Sequence, residues 1–192
     1  MLFRSPLRRF LPTTATGPRF YADAKDFGKG LHWNTHGPWK MWGSMAEWEA
    51  YWQADDALFR AETGAPGACN ADIISQYAGK YDPLPISETN PVWRRPLTWW
   101  VELGAFAEEF GREPENVEEY VAWSQARQAE ALRIAVKACK DRFPRCGGIL
   151  LWCGHDCYPC STNTSIIDFH GNPKPAALAL SKIWKEIGRA HV

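Results

Sequence analysis

The chain has 192 residues, of which 45% are hydrophobic, so it can bury one sizeable core or two small ones. Its 22 basic residues equal its 22 acidic residues, and no basic stripe is interleaved with aromatic residues, which argues against a nucleic-acid partner. Apolar runs such as 149–152 are far shorter than the ~20 residues of a membrane-spanning helix, so no membrane partner is expected.

The N-terminal stretch is basic and has no acidic residue before Asp23. This composition is typical of an organellar transit peptide, but the apolar residues do not repeat at helical spacing. The segment "RRFLPTT" therefore favours a short buried strand with Pro12 near its end. No clear signal peptide is present, and six unevenly spaced cysteines neither demand nor exclude a disulfide, so the sequence leaves the compartment unknown.

The next segments predict a strand, a helix and a second strand. Residues 31–33 form a weak strand signal that ends in the turn-rich "NTHGPW". Ser44 and Glu47 form a capping box, and the aromatic residues that follow at helical spacing predict a helix over about 44–56. The apolar stretch "ALFRAETG" then predicts a strand that ends near Glu62.

The second half of the chain continues this alternation. Residues 65–114 are rich in proline and glycine and predict a long elaborated loop that contains short helices. A long helix ending near Arg142 is predicted from one apolar face, which consists of Val117, Tyr120, Val121, Ser124, Gln128, Leu132, Val136 and Cys139. "GGILLWC" predicts a strand, and the last helix is predicted to start at Asn172 and Pro173 with Ala177, Leu180, Trp184 and Ile187 on one face.

Strands that alternate with helices are typical of a parallel α/β protein. The prominent polar residues His32, Glu62, Trp152 and Asp156 follow predicted strands, and in a (β/α)8 barrel the active site is built at that end. Four strands cannot close an eight-stranded barrel. The chain is therefore predicted to be an open sheet or about half of a barrel.

A cluster of potential metal ligands follows the last predicted strand. Cys153, His155, Cys157 and Cys160 lie within eight positions, and three thiols with one imidazole can bind zinc. Only Cys157 and Cys160 have the C-x-x-C spacing, whereas a strong zinc signal has two such pairs. A zinc-stabilised interaction module thus stays as a less favoured alternative.

Two blocks of the sequence resemble glycoside hydrolase family 2, especially its β-mannosidase-like branch. "FRAETG" at 59–64 is similar to the F-x-S-E-[FY]-G strand of that family, and "WCGHDCYPCSTNTSIIDFHGNPK" at 152–174 is similar to the segment after its last barrel strand. "GKGLHW" at 28–33 and "LRRFLPT" resemble its sixth-strand turn and fifth strand. The resemblance implies that residues 1–192 form the C-terminal half of a TIM barrel, about strands 5–8 with their helices.

The resemblance also implies roles for individual residues. Glu62 would be the nucleophile of a retaining glycosidase, with Arg60 on the same side of the strand favouring its ionised form. Trp152 would form the floor under the reacting sugar, because an indole offers a flat surface to the apolar face of a pyranose. The other expected substrate contacts are Asp156, His155, His32, Trp33 and Arg60. The aligned cysteines are ordinary residues in the family, so neither a metal nor another cofactor is expected.

The acid/base glutamate of that family follows an asparagine roughly a hundred residues before the nucleophile. No Asn-Glu pair occurs in this sequence, and the resemblance implies that the N-terminal half of the barrel and the family's sandwich domains are missing from it. The chain alone is therefore predicted to be inactive on natural β-glycosides and to self-associate through exposed strand edges. A non-catalytic carbohydrate-binding remnant is the alternative to a glycosidase segment.

Overall fold

The computed structural model describes residues 13–94 and 100–187 of the chain. A single 3₁₀ turn, Ala24–Asp26, precedes the regular elements. In chain order these are β1 (Thr35–His36), α1 (Met45–Ala54), β2 (Arg60–Thr63), β3 (Gly67–Ala68), α2 (Ala71–Tyr77), α3 (Leu103–Phe110), α4 (Val117–Asp141), β4 (Ile149–Leu151), β5 (Thr162–Asn163) and α5 (Pro175–Ile187). The strand predicted from "RRFLPTT" lies almost wholly outside the described residues.

A three-stranded parallel sheet in the order β1-β2-β4 organises the structure. His36 is paired with Glu62, and Thr63 with Leu151, so the carboxyl ends of all three strands meet at one edge. A separate antiparallel pair joins β3 to β5. The prediction of an α/β fold with parallel strands is confirmed for this sheet.

The first described strand begins later than the sequence predicts. Leu58 N donates to His32 O, but regular pairing with the neighbouring strand starts only where Thr35 N donates to Phe59 O. The strand is therefore Thr35–His36 and not residues 31–33. This shift places His32 before the strand rather than after it.

Helix α1 forms as its sequence predicts. The Ser44 hydroxyl accepts a hydrogen bond from Glu47 N at 3.2 Å, and the Glu47 carboxylate accepts one from Ser44 N at 2.8 Å. This reciprocal pair satisfies two backbone N–H groups at the helix start. Trp48 and Trp52 are fully buried, and they pack in a core that α1 shares with α4 and α5.

Helix α4 is the longest element and connects two hydrophobic clusters. Its first half packs with Trp93 and Phe106, and its second half joins Trp48 and Leu180. All residues of the predicted apolar face are buried, which confirms that prediction. Gln128 of this face lies so close to β3 that a Cβ on Gly67 would come within 2.2 Å of its Oε1, so only glycine fits there.

The remaining elements match the sequence in part. The segment 65–114 contains the short helices α2 and α3, as predicted. Helix α5 starts two residues later than Pro173, because Asn172 N still donates to the Asp168 side chain in the preceding loop. Leu180 faces the core, but Trp184 is 39% exposed, so the predicted face was wrong for that residue. Within the described ranges, no helix has both the length and the apolar character to cross a membrane.

Candidate active site

Glu62 and Trp152 lie at the same edge of the parallel sheet. Glu62 is the residue before the last one of β2, and Trp152 directly follows β4, where its backbone N–H donates to Thr63 O at 2.8 Å. The Trp152 carbonyl in turn accepts a hydrogen bond from the Thr164 hydroxyl at 2.8 Å. The parallel register therefore brings together the two residues that the sequence analysis considered most important.

The Glu62 carboxylate is held through one of its two oxygens. Trp39 Nε1 donates to Glu62 Oε2 at 3.1 Å, and His36 Nδ1 lies 3.5 Å from the same oxygen. Among the described residues, Oε1 accepts no hydrogen bond, and the side chain is 27% exposed. Glu62 therefore has a fixed orientation and one oxygen that is available to a ligand.

The loop that carries Trp39 is attached to the end of β2. Gly64 N and the Thr63 hydroxyl both donate to Pro38 O, each at 2.9 Å. These bonds place Trp39 over Glu62. His36 is oriented by a second contact, since its Nε2 lies 3.1 Å from the Thr14 hydroxyl.

Aromatic rings pack around Trp39, the tryptophan that contacts Glu62. The Trp152 ring lies 6.2 Å from that of Trp39 and 5.7 Å from that of Trp100, and Trp39 also contacts Tyr21 at 5.7 Å. We call Tyr21, Trp39, Trp100 and Trp152 the aromatic wall. Tyr21 is 57% exposed, while Trp39 and Trp152 are half-buried. A wall of rigid rings beside a carboxylate offers a stacking surface to a flat ligand with apolar C–H faces.

His32 and Trp33 do not join this site, which corrects the sequence prediction. His32 is 1% exposed, and its Nδ1 lies 2.6 Å from Asp56 Oδ1 at the amino end of the sheet. Trp33 packs beside Gly17, and its indole N–H donates to Gly30 O. The late start of β1 is the physical reason, because both residues precede the strand.

Arg60 is also separate from Glu62, contrary to the prediction. Its guanidinium is fully buried and pairs with Asp55 at 2.6 Å, with Tyr51 Oη and Gly37 O as further acceptors. The group lies over the Trp52 ring at 4.8 Å. Arg60 is therefore part of a buried network between β2 and α1, to which Arg142 contributes a second cation at 2.5 Å from Asp55.

Asp156 is buried rather than open to a ligand. Its Oδ1 accepts hydrogen bonds from Ser165 Oγ at 2.6 Å, Asn163 Nδ2 at 2.7 Å and Cys160 Sγ at 3.1 Å. The ammonium group of Lys174, itself fully buried, lies 3.7 Å from Oδ2. We call these five residues the Asp156 network. Its burial argues against direct contact between Asp156 and a sugar.

The four residues that were considered as zinc ligands lie in different surroundings. Cys160 is buried against Asp156, Cys157 and His155 are exposed, and Cys153 has a left-handed backbone with φ 56°. In the part of the chain that the structure describes, no three His, Cys, Asp or Glu side chains are placed so as to hold a metal ion. His155 is exposed at the surface.

Two residues that contact Glu62, His36 and Trp39, were not predicted from the sequence. His36 and Trp39 were read as a turn, because "NTHGPW" combines Gly37 and Pro38 with polar residues. Their position relative to the strand could have identified them. A histidine at a strand end and a tryptophan three residues later lie at the edge where parallel α/β proteins bind ligands.

Comparison with known proteins places the chain among glycosidase relatives. It is 24% identical over 153 residues to a β-mannosidase B of Emericella nidulans, which covers 78% of this chain and 18% of that protein. A β-mannosidase B of Aspergillus terreus is 24% identical over 190 residues, covering 94% of this chain and 22% of the relative. The chain thus spans about a fifth of the length of these relatives. No protein-family model matches it.

A solved structure shares the fold. The crystal structure of a β-D-mannosidase from Dictyoglomus thermophilum superposes with a TM-score of 0.64 at 20% identity, over 86% of this chain and 20% of that one. The chain is therefore related to β-mannosidases, which confirms the recognised resemblance. The small parallel sheet is consistent with part of a glycosidase.

Proposed function

We propose that this chain carries the nucleophile side of the active site of a retaining β-mannosidase, with Glu62 as the nucleophile. The observation that carries the proposal is the geometry of Glu62. Its carboxylate is fixed by Trp39 through one oxygen, is partly exposed, and lies beside the aromatic wall at the edge where barrel enzymes bind substrate. The names of the relatives supply the substrate class, a β-mannoside.

In the proposed reaction, Glu62 Oε1 attacks the anomeric carbon of the sugar. A bond forms between this oxygen and the carbon, while the bond from the carbon to the leaving-group oxygen breaks and that oxygen takes a proton from a general acid. Water then displaces Glu62 from the covalent intermediate and gives one proton to the same group, now acting as a base. The overall reaction retains the anomeric configuration.

The neighbours of Glu62 support both steps of this reaction. The Trp39 N–H stabilises charge on Oε2, so the carboxylate is stabilised again when it leaves the intermediate. Trp152 supplies a flat surface for the sugar ring, and Trp39 and Trp100 pack at angles of 68° to it and keep it in place. Rigid placement of the reacting groups is a large part of catalysis.

We further propose that the strands β1, β2 and β4 belong to a (β/α)8 barrel. The acid/base that retaining hydrolysis needs about 5 to 5.5 Å from the nucleophile would be contributed by residues outside these 192, since the sequence has no Asn-Glu pair. A non-catalytic carbohydrate-binding role is the second candidate. It is favoured by Cys153 and His155, which replace the glutamine and asparagine usual in the resembled segment.

An aryl β-mannoside with a good leaving group tests the proposal on the chain itself, because departure of such a group needs no acid. We expect a burst of about one equivalent of aryl alcohol per chain, with slow turnover that added azide accelerates. Glu62→Ala should remove the burst, and azide should then give the α-mannosyl azide by a single displacement at the vacated face.

The matched control is Glu49→Ala, since Glu49 is an exposed acid on α1. It should keep the burst. A β-configured azide product from Glu62→Ala would assign Glu62 the acid/base role instead. Sugar binding without a burst in the unaltered chain would favour the non-catalytic candidate.

A further inference from the structure

Two thiols meet where the chain turns from α4 toward β4. Cys139 is in the last turn of α4, and Cys146 precedes the first residue of β4 by three positions. Both are 2% exposed and pack in the hydrophobic core that α1, α4 and α5 share. We call them the cysteine pair. The sequence neither demanded nor excluded a disulfide, and neither thiol belongs to the candidate active site.

A tight turn brings Cys146 back to the end of α4. The carbonyl of Arg142 accepts hydrogen bonds from Arg145 N at 2.8 Å and from Cys146 N at 3.2 Å. The Cys146 side chain shares a hydrogen bond with the Cys139 side chain, and its Sγ lies 3.6 Å from Gly148 O. The backbone therefore places the two sulfur atoms next to each other.

The guanidinium of Arg142 connects the cysteine pair to the buried network between β2 and α1. Its Nη2 donates to Cys139 Sγ at 3.4 Å and lies 2.5 Å from Asp55 Oδ2. Asp55 also pairs with the fully buried Arg60 at 2.6 Å. Among the described residues, one carboxylate thus pairs with both guanidinium groups. A buried region with excess positive charge is stabilised by a second anion, and a thiolate can be that anion.

The two thiols differ in their tendency to ionise. The hydrogen bond from Cys139 lowers the pKa of Cys146, and Arg142 lowers it further, while burial opposes both effects. The same hydrogen bond, together with burial, raises the pKa of Cys139. Cys146 is therefore the thiolate of the pair, and Cys139 is its hydrogen-bond donor. By contrast, burial raises the pKa of Cys69 and Cys160, which keeps those thiols protonated.

A solute can reach Cys146 through the turn that carries it. Residues 143–145 are exposed, with Phe143 at 59%, and Gly147 on the other side of Cys146 is also exposed. Opening of this short turn uncovers Cys146 and leaves α4 folded, because turns open at a lower free energy than packed helices. Cys139 lies inside the helix, so an oxidant meets Cys146 first.

We propose that Cys139 and Cys146 are a redox site, which small-molecule disulfides of the glutathione type oxidise reversibly to an intramolecular disulfide. Arg142 stabilises Cys146 as the thiolate that reacts first. The disulfide joins the last turn of α4 to the segment that leads into β4. The redox site is independent of the proposed function, because it operates whether or not the chain acts on a glycoside.

Oxidation of the cysteine pair takes two exchange steps. In the first step, the Cys146 thiolate attacks one sulfur of the small-molecule disulfide, whose sulfur–sulfur bond breaks. Half of the small molecule stays bound to Cys146, and the other half leaves as a thiolate that takes the proton of Cys139. In the second step, Cys139 Sγ attacks Cys146 Sγ, and the bound half leaves as a second thiolate. The protein loses two electrons, and the small-molecule disulfide gains them.

Peptide mapping of the folded chain in oxidised glutathione tests the proposal. Remaining thiols are blocked with N-ethylmaleimide, and the chain is digested with trypsin and chymotrypsin without reduction. Trypsin cuts after Lys140 and Arg145, so only a disulfide keeps the peptides of the cysteine pair together. Chymotrypsin cuts after Trp152, which separates Cys146 from the later cysteines. We expect the peptide that links Cys139 to Cys146 to be the main disulfide product, and excess reduced glutathione to remove it.

Two single variants separate the exchange steps. Cys139→Ala lacks the second thiol, so one glutathione should stay on Cys146, whereas Cys146→Ala should carry none on Cys139. Cys69→Ala changes another buried thiol and is the matched control, which should still form the linked peptide. Thermal unfolding shows whether each variant is folded. The mapping of the unaltered chain needs no variant, so it decides the question even if one of them unfolds.

Arg142→Met tests the effect of the guanidinium on Cys146. Asp55 and Arg60 still balance each other in this variant, so the fold should persist. Addition of glutathione to Cys146, followed in the Cys139→Ala background where the adduct accumulates, should slow about tenfold. Arg145→Met removes an exposed cation from the same turn and is the control, which should leave the rate unchanged.

Three results would overturn the redox site. The first is a folded chain that forms no disulfide in oxidised glutathione, and the second is a main product that links any other two cysteines. The third is a stable glutathione adduct on Cys139 in Cys146→Ala, with none on Cys146 in Cys139→Ala. An unchanged rate in Arg142→Met would overturn the role of Arg142.

Discussion

Glu62 lies in β2 and Asp156 follows β4 of the same parallel sheet, yet the surroundings of these two carboxylates are opposite. Glu62 is 27% exposed and accepts one hydrogen bond, from Trp39 of the aromatic wall. Asp156 is 1% exposed, and three donors and the buried Lys174 surround it. An acid at a strand end can thus serve a ligand or the scaffold, and its hydrogen-bond partners distinguish the two.

The largest expected effect is the loss of activity in Glu62→Gln. The amide keeps the shape of the side chain but is not a nucleophile, so in a protein that turns over an aryl β-mannoside, kcat/KM should fall at least about 10³-fold. The free energy of unfolding should change by less than about 0.5 kcal/mol, because the side chain is partly exposed. Steady-state kinetics and urea unfolding measure both. If Glu62→Gln lost several kcal/mol of unfolding free energy but kept its activity, Glu62 would belong to the scaffold and not to the site.

The second effect concerns the other carboxylate. Asp156→Asn removes the negative charge beside Lys174 and leaves a buried ammonium group without its counter-charge, which should destabilise the fold by about 3–5 kcal/mol. Urea unfolding measures this change. Glu88→Gln, at an exposed position, is the control and should have almost no effect. If Asp156→Asn were as stable as the unaltered chain, the Asp156 network would not be part of the scaffold.

Glu102 is a third carboxyl group, and its titration should make the stability of the fold depend on pH. Its pKa is raised from 4.5 to about 7, so the folded state binds its proton more tightly than the unfolded state does. Stability from this group is therefore fully present below about pH 4.5 and is lost as pH rises to about 7, by about 3 kcal/mol. The groups that face it are Arg127, Lys40, Glu108 and Tyr120.

Paired unfolding measurements on the unaltered chain and Glu102→Gln isolate this contribution. The difference in their unfolding free energies should change by about 3 kcal/mol between pH 4.5 and pH 7, because the amide does not titrate. A difference that is constant over this range would show that the carboxyl is more hydrated than its burial implies.

The smallest expected effect is on sugar affinity. Trp152→Leu keeps apolar bulk but removes the flat stacking surface, so affinity for mannose should fall about tenfold. Trp184→Leu is the matched control, because Trp184 lies at an exposed position on α5. NMR titration measures both. Equal affinities in the two variants would remove Trp152 from the site.

Local signals in the sequence predicted much of the fold. The capping box at Ser44, the buried face of α4 and the strand that ends at Glu62 all follow from spacing along the chain, and the structure has each of them. The meeting of Glu62 and Trp152 at one edge follows from parallel pairing. These features depend on neighbouring residues or on one rule of sheet geometry.

Contacts between distant residues could not be predicted in the same way. Arg60 and Glu62 are two residues apart on one strand, which predicts that they share a face. The partner of Arg60 is nevertheless Asp55, because the end of the preceding helix places a buried carboxylate there. Likewise, nothing local distinguishes Asp156 from a surface acid, since its burial depends on Lys174 and Ser165 from later in the chain. The predicted position of His32 was wrong because the weak strand signal at 31–33 precedes the strand, which begins at Thr35.

Covalent trapping tests the role of Glu62 most directly. A β-mannoside with an activated leaving group and fluorine in place of the hydroxyl at carbon 2 reacts to the covalent intermediate and then hydrolyses slowly, because the electron-poor ring disfavours the oxocarbenium-like transition state. Mass spectrometry of the proteolysed chain should locate one sugar on the peptide that contains Glu62, and Glu62→Gln should stay unlabelled. A sugar attached to any other residue, or equal labelling of Glu62→Gln, would contradict the assignment of Glu62 as the nucleophile.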